Sequence, residues 1–226
     1  MKKLILAGLM AVSGLSAAQQ TKNFQTSGYD GISVAGPYTV VLSDGKEGNI
    51  TATGEADDLE ALIVESDGKN LTIKPEKGWK NRPKRNVRIT IPFESINAVK
   101  LAGSGSITSS ELISATNLSI ALAGSGHISL KAKADTIDAK ISGSGDLELS
   151  GNTTKVETNL SGSGEIHAFG LYSAIAEANI SGSGNCEINC SEQITARISG
   201  SGNIVYKGNP DVEDTKVSGS GRITKS

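Results

Sequence analysis

The sequence predicts an all-β protein, a parallel β-solenoid wound from rungs of about 19 residues, and three observations carry that reading. One heptapeptide recurs seven times: "LAGSGSI" at 101, "LAGSGHI" at 122, "ISGSGDL" at 141, "LSGSGEI" at 160, "ISGSGNC" at 180, "ISGSGNI" at 198 and "VSGSGRI" at 217. The first glycines of the motifs (Gly103, Gly124, Gly143, Gly162, Gly182, Gly200, Gly219) are separated by 21, 19, 19, 20, 18 and 19 residues. Apolar residues alternate on both sides of each motif, as in Leu118, Ile120 and Leu122 before one and Ile128 and Leu130 after it. A period of two marks a strand, so a rung reads as strand, Gly-Ser-Gly corner, strand, loose corner.

The elements follow in chain order. "MKKLILAGLMAVSGLSAAQQ" has a basic pair, an apolar run to Leu15 and small residues ending at Ala18. This predicts a signal peptide over 1–18. The apolar run is too short for a membrane span, and no cysteine at the cleavage point offers a lipid anchor. Residues 19–100 lack the motif but alternate in "GISVAGPYTVVLSDG", "NLTIKPEKG" and "VRITIP", which predicts irregular strand layers that cap one end of the coil. "DDLEALIVE" at 57–65 reads as a helical turn running into a strand. Ile96, Val99 and Leu101 lead into the first motif without a linker, so 19–226 is one domain, with the repeat rungs over 101–226.

One rung cannot bury its own inner face, whereas rungs stacked about 4.8 Å apart place Leu over Leu and Ile over Ile in one column. Glycine suits the shared corner because it accepts positive φ and lets neighbouring backbones approach closely. The second glycines, Gly105, Gly126, Gly145, Gly164, Gly184, Gly202 and Gly221, belong to the same stack. The serines between them are expected to form a ladder, their hydroxyls bonding adjacent backbone or one another. None of the motifs continues as a nucleotide-binding loop.

The succession of "YDGISVAGPYTVVLSDG", "LTIKPEKGW", "VRITIPFESINAVKLAGSGSI" and serial GSG rungs resembles the auto-transporter adhesin "head GIN domain" family of secreted Bacteroidetes-type proteins. The resemblance covers nearly all of 19–226. It implies a right-handed parallel β-helix, an extracytoplasmic location and an adhesin role, and it brings no catalytic or ligand residues.

Loss of Lys2 and Lys3 with the leader takes the formal charge from −2 to −4, which argues against a nucleic-acid binder. Stacking creates outward columns: Ser106, His127, Asp146, Glu165, Asn185, Asn203 and Arg222, and two positions later Thr108, Ser129, Glu148, His167, Glu187, Val205 and Thr224. Asp146 and Glu165 on successive rungs would lie about 5 Å apart, the separation of a retaining glycosidase pair, although alternation by itself predicts a solvated face. His127 and His167 lie two rungs apart, too few and too distant for zinc. Cys186 and Cys190 would stand about 13 Å apart on one straight strand, too far for a bridge without a bend. Cys186 takes the place of Ile128, Ile166 and Ile204, that of a buried apolar residue.

"KPEKGWKNRPKR" surrounds the single tryptophan with cations, and Trp79, Lys80, Arg82, Lys84 and Arg85 form the candidate binding set, suited to sugars or anions; a solvated loop with Trp79 tucked over the cap is the alternative. Phe169, Leu171 and Tyr172 interrupt a loose corner as core or as a contact patch. The sequence therefore predicts a secreted or surface-displayed scaffold, an adhesin or binding module with no catalysis and no cofactor. A carbohydrate-active enzyme of glycosidase or lyase type and a periplasmic structural or signalling module are the alternatives. Expected partners are a surface glycan or a host or matrix protein, without nucleic acid and without a transmembrane segment in 19–226; self-association is left open.

Overall fold

Leu118, Ile120 and Leu122 can be buried together only if the residues between them face outward. In the computed structural model, which describes residues 19–78 and 86–226, that is the arrangement. The predicted leader and residues 79–85 lie outside the described residues. The strands are β1 (Gln20–Gln25), β2 (Gly31–Ala35), β3 (Thr39–Asp44), β4 (Asn49–Gly54), β5 (Leu62–Ser66), β6 (Asn70–Pro75), β7 (Arg88–Phe93) and β8 (Ala98–Gly103). They continue as β9 (Ser106–Gly124), β10 (His127–Gly143), β11 (Asp146–Gly162), β12 (Glu165–Gly182), β13 (Asn185–Gly200), β14 (Asn203–Lys207), β15 (Val212–Gly219) and β16 (Arg222–Lys225). One short helix, α1 (Ala56–Glu60), precedes β5, at the place where "DDLEALIVE" predicts a helical turn.

From β8 onward each rung lies on the one before it in parallel register, with corner over corner: Gly103 pairs with Gly124, Gly124 with Gly143, and so on to Gly200 with Gly219. This is the parallel β-solenoid that the 19-residue period predicts. After the corner, Ile89, Val40, Ile107, Ile128, Leu147, Ile166, Cys186, Ile204 and Ile223 form one inner column. Before it, Ile73, Val34, Leu101, Leu122, Ile141, Leu160, Ile180, Ile198 and Val217 form another. All except the terminal Ile223 and Val217 are buried. Each such side chain contributes about 1.5–3 kcal/mol relative to exposure, so the core is linear and every rung adds a similar increment.

The two glycines of the corner do different things. The first has φ between 118° and 136° throughout the stack, a conformation L side chains resist. The second has ordinary φ but points inward, and a Cβ on Gly145 would lie 2.6 Å from the Gly126 carbonyl oxygen. The corners are joined by main chain: Ser144 N–H donates to Gly124 O (2.9 Å) and Asp146 N–H to Gly126 O (3.0 Å), with the equivalent bonds on neighbouring rungs. The central serine contributes its N–H to this ladder. Its hydroxyl faces solvent, in place of the expected side-chain ladder.

The N-terminal layers are wound out of order. β2 and β3 form a rung beneath β8 and the start of β9, turning through Gly36, Pro37 and Tyr38. β6 and β7 form the rung beneath that one. Strands β4 and β5 then pair antiparallel to β7 and β6, β1 pairs antiparallel to β4, and Leu59 of α1 is buried with Ile50 and Leu62. The strand direction thus reverses below the β6–β7 rung. At the opposite end β15 and β16 are largely exposed, with Val212 and Val217 open to solvent.

Candidate functional site

The outward columns named from the sequence stack as expected. His127, Asp146, Glu165, Asn185, Asn203 and Arg222 are register neighbours, and so are Ser129, Glu148, His167, Glu187, Val205 and Thr224. Glu165 receives His167 Nε2 at 3.2 Å, while His167 Nδ1 meets Glu187 Oε2 at 3.1 Å. The hydrogen bond to Glu187, followed by the charges of Glu187 and Glu165, raises the His167 pKa against the opposing effect of partial burial. Asn203 Nδ2 donates to Asn185 Oδ1 at 3.0 Å and Ser129 Oγ to Glu148 Oε2 at 2.9 Å. These side chains are spent largely on one another, as on a solvated face.

Both cysteines are free and buried. Burial pushes the Cys186 thiol up to about 12 and, with the charge of Glu213, that of Cys190 up to about 11, so neither supplies a thiolate near neutral pH. Among the described residues no group of three or more His, Cys, Asp and Glu side chains is placed to hold a metal ion. The Phe169–Tyr172 stretch divides: Leu171 is core, Tyr172 is 64% exposed, and Lys207 Nζ lies 3.9 Å over the Phe169 ring.

The candidate set Trp79, Lys80, Arg82, Lys84 and Arg85 falls outside the described residues.

A long concave feature lies on the strand before the corner, a face the sequence reading did not single out. A groove of about 800 Å³ runs along the coil there. One wall is the column three residues ahead of each first glycine: Lys100, Ala121, Lys140, Asn159, Asn179, Arg197 and Lys216. The floor is the column one residue ahead, in which Ala102 and Ala123 give way to Ser142, Ser161, Ser181, Ser199 and Ser218. Small floor residues leave the trough open, and the stems of the long wall residues make its surface largely aliphatic. With rungs about 4.8 Å apart, the run from Lys100 to Lys216 is about 30 Å long.

Four cations and no carboxylate line this groove. The acids stand one column farther out and hold the wall from behind. Asp138 Oδ2 pairs with Lys140 Nζ at 2.6 Å, Glu157 accepts from Asn159 Nδ2 at 3.0 Å, and Asp214 pairs with Arg197. Asn179 Nδ2 donates in turn to Asn159 Oδ1 at 3.3 Å. The hydrogen bond to Asp138 raises the Lys140 pKa and that from Arg197 lowers the Asp214 pKa. The sequence signal for this wall is the recurring Lys or Arg immediately before the heptapeptide, three residues ahead of its first glycine.

A family model described as "Putative auto-transporter adhesin, head GIN domain" matches residues 28–210. Among solved structures, the chain is similar to a "putative adhesin" of Bacteroides fragilis, with TM-score 0.86, 24% identity and coverage of 93% of this chain and 98% of that one. It is also similar to a "putative lipid binding protein" of Parabacteroides distasonis, with TM-score 0.74, 26% identity and the same coverage. A "putative adhesin" of Parabacteroides merdae matches with TM-score 0.74 and 21% identity over 93% of this chain and 97% of that one. The search of curated proteins returned no match.

Proposed function

The chain belongs to the head GIN adhesin family, and on that premise we propose that it is a non-catalytic binding module of the extracytoplasmic surface whose groove beside the glycine corner holds an extended ligand. The observation that carries this reading is the groove itself. It is long, open, lined by small residues at its floor and built by the same face of seven successive rungs. Catalysis needs one constellation set apart from its surroundings, and the carboxylates of Asp146 and Glu165 stand on an open face among hydrogen-bonded neighbours. The leader-like residues 1–18 support export, and among the described residues no helix is long and apolar enough to cross a membrane. Fractionation with and without surface protease separates a surface-displayed protein from a periplasmic one.

A glycan and matrix-protein array with the purified 19–226 chain tests the binding role. The comparison protein is the double variant Ser161→Tyr/Ser181→Tyr, which fills the trough from two exposed floor positions. Loss of the array signal in this variant supports the groove; equal binding removes it as the site. A separate variant with Trp79, Lys80, Arg82, Lys84 and Arg85 replaced by alanine examines the basic segment as a second contact. Equal binding by that variant assigns the segment to the cap alone. A second reading, an amphiphile with its chain laid in the trough, draws on the aliphatic walls and on the Parabacteroides relative named for lipid binding; vesicle flotation of the same proteins examines it.

A further inference from the structure

The charge of the groove points to a particular class of ligand, and the inference rests on the groove being the binding site. We propose that it accommodates a linear polyanionic polysaccharide, one bearing carboxylate or sulfate groups along its length, with the polymer running parallel to the coil axis.

The chain carries 24 acidic against 22 basic residues, yet Lys100, Lys140, Arg197 and Lys216 line the groove without a single carboxylate. Asp138 and Asp214 draw on Lys140 and Arg197 from the rear, and this fixes those two cations beside the trough. Lys100 and Lys216 make no ion pair among the described residues and are exposed, so both are accessible to an incoming anion. Cations lining a trough that holds no carboxylate of its own raise the local concentration of anions there and guide their approach.

The distribution of the cations selects a polymer over an amphiphile. Lys100 and Lys140 stand toward one end, Arg197 and Lys216 toward the other, and the stretch between is neutral, held by the Asn159–Asn179 amide pair. A lipid has one charged end and would leave half of these cations unused. A chain with anions spaced along it engages both ends. Between the cations, the hydroxyls of Ser142, Ser161 and Ser181 and the two amides recur at rung intervals of about 4.8 Å, which suits a ligand rich in hydroxyls. No aromatic residue lines the groove, so the stacking by which neutral sugars are commonly held is missing and charge supplies the selectivity. Each contact is an exposed ion pair worth little alone. Affinity comes from several engaged together on one polymer.

The experiment measures binding of the purified 19–226 chain to immobilised polygalacturonate and dextran sulfate, to neutral dextran, and to vesicles of phosphatidylcholine with phosphatidylglycerol, each at low and high salt. The groove variant is Lys100→Gln/Lys140→Gln/Arg197→Gln/Lys216→Gln. The control, Lys46→Gln/Lys69→Gln/Lys131→Gln/Lys133→Gln, makes the same change in net charge at exposed sites off the groove. All proteins are first checked for a common thermal melt. The expected result is salt-sensitive binding to at least one polyanion, weakened about tenfold or more in the groove variant and little changed in the control. Equal loss in both variants overturns the proposal, because the attraction is then one of bulk charge. Tighter binding to neutral dextran or to vesicles, blocked by Ser161→Tyr/Ser181→Tyr, overturns the ligand class and leaves the groove standing. Binding that neither groove variant alters removes both.

Discussion

Each turn of the coil bends sharply at two places, and the two bends solve the same problem with different chemistry. At the Gly-Ser-Gly bend the walls are main chain: each first glycine accepts from the next serine N–H, and a Cβ on Gly124 would lie 2.5 Å from the Gly103 oxygen. The only residue that fits is the one already below it, so the solution copies itself rung by rung. At the other bend side chains do much of the work, and main chain sets it only on single rungs, where Gly151 (φ 117°) and Gly208 (φ 101°) lie against the Ala132 and Cys190 carbonyls. Ser109 Oγ donates to Glu111 O (3.1 Å), Thr153 Oγ1 to Lys155 O (3.0 Å) and Ser173 Oγ to Asn189 O (2.6 Å). The column Ala134, Thr153, Ser173, Cys190 holds four residue types in four rungs. Register breaks fall near this bend, between Ser129 and Lys131, Glu148 and Ser150, and Ala168 and Tyr172. The spread of rung lengths from 18 to 21 is absorbed there.

The sharpest way to break this contrast is Gly162→Val. Its φ of 127° and the Gly143 carbonyl pressed against it leave no place for a β-branched residue. The expected loss is at least about 3 kcal/mol, read as a lower midpoint in urea denaturation, and an unchanged midpoint would remove the main-chain account of the corner. Gly145→Ala then separates crowding from φ, because Gly145 needs no positive φ and its Cβ would first meet the Gly126 oxygen and Leu122. A loss of about 1–3 kcal/mol is expected, smaller than that for Gly162→Val. A reversed order would mean that close approach outweighs backbone conformation.

The same contrast decides what could be read in the sequence. The main-chain bend forces identical residues, so seven copies of one motif disclosed the period, the strands on either side and both core columns. Tyr38 shows where the rule lapses. Gly36 has the corner φ of 132°, but Tyr38 stands where Gly105 and its successors follow on later rungs, so "GPY" does not look like a repeat. The winding of β6 and β7 under β2 and β3 was equally hidden, since alternation marks which face of a strand is buried and not which strand lies next to it. The groove differs again: Lys100, Lys140, Arg197 and Lys216 each stand three residues ahead of a first glycine, so their column is legible in the sequence, whereas the concavity beside it exists only once the rungs are stacked.

At the side-chain bend the effects are smaller. Thr153→Ala removes a buried hydroxyl and leaves the Asp135 and Lys155 carbonyls it serves without that donor. About 1–2 kcal/mol is expected to be lost in the melt, and Thr153→Ser should restore most of it. Insertion of a Gly-Ser dipeptide between Phe169 and Gly170, where β12 already lacks register, is expected to lower stability by under about 1 kcal/mol. The same insertion between Ser144 and Gly145 should unfold the neighbouring rungs. Equal tolerance at the two sites would abolish the distinction between the bends.

The smallest effect lies on the straight segments between the bends, where the outward columns test whether surface ladders add to the skeleton. His167 has its pKa raised, first by the hydrogen bond to Glu187 and then by the charges of Glu187 and Glu165. A group whose folded pKa lies above its unfolded value favours the fold when protonated. The contribution is therefore full below the unfolded histidine pKa of about 6.5 and disappears as pH rises through the folded value. The side chain is 46% exposed, so solvent screening limits the contribution to a few tenths of a kcal/mol. The difference in melting midpoint between the wild type and His167→Gln, followed from about pH 5.5 to about pH 8.5, should be largest at the acid end and shrink toward the alkaline end. A difference that grows with pH would reverse the sign of the coupling. A difference constant across the range would mean that the Glu165–His167–Glu187 contacts follow from the register of the rungs without strengthening it.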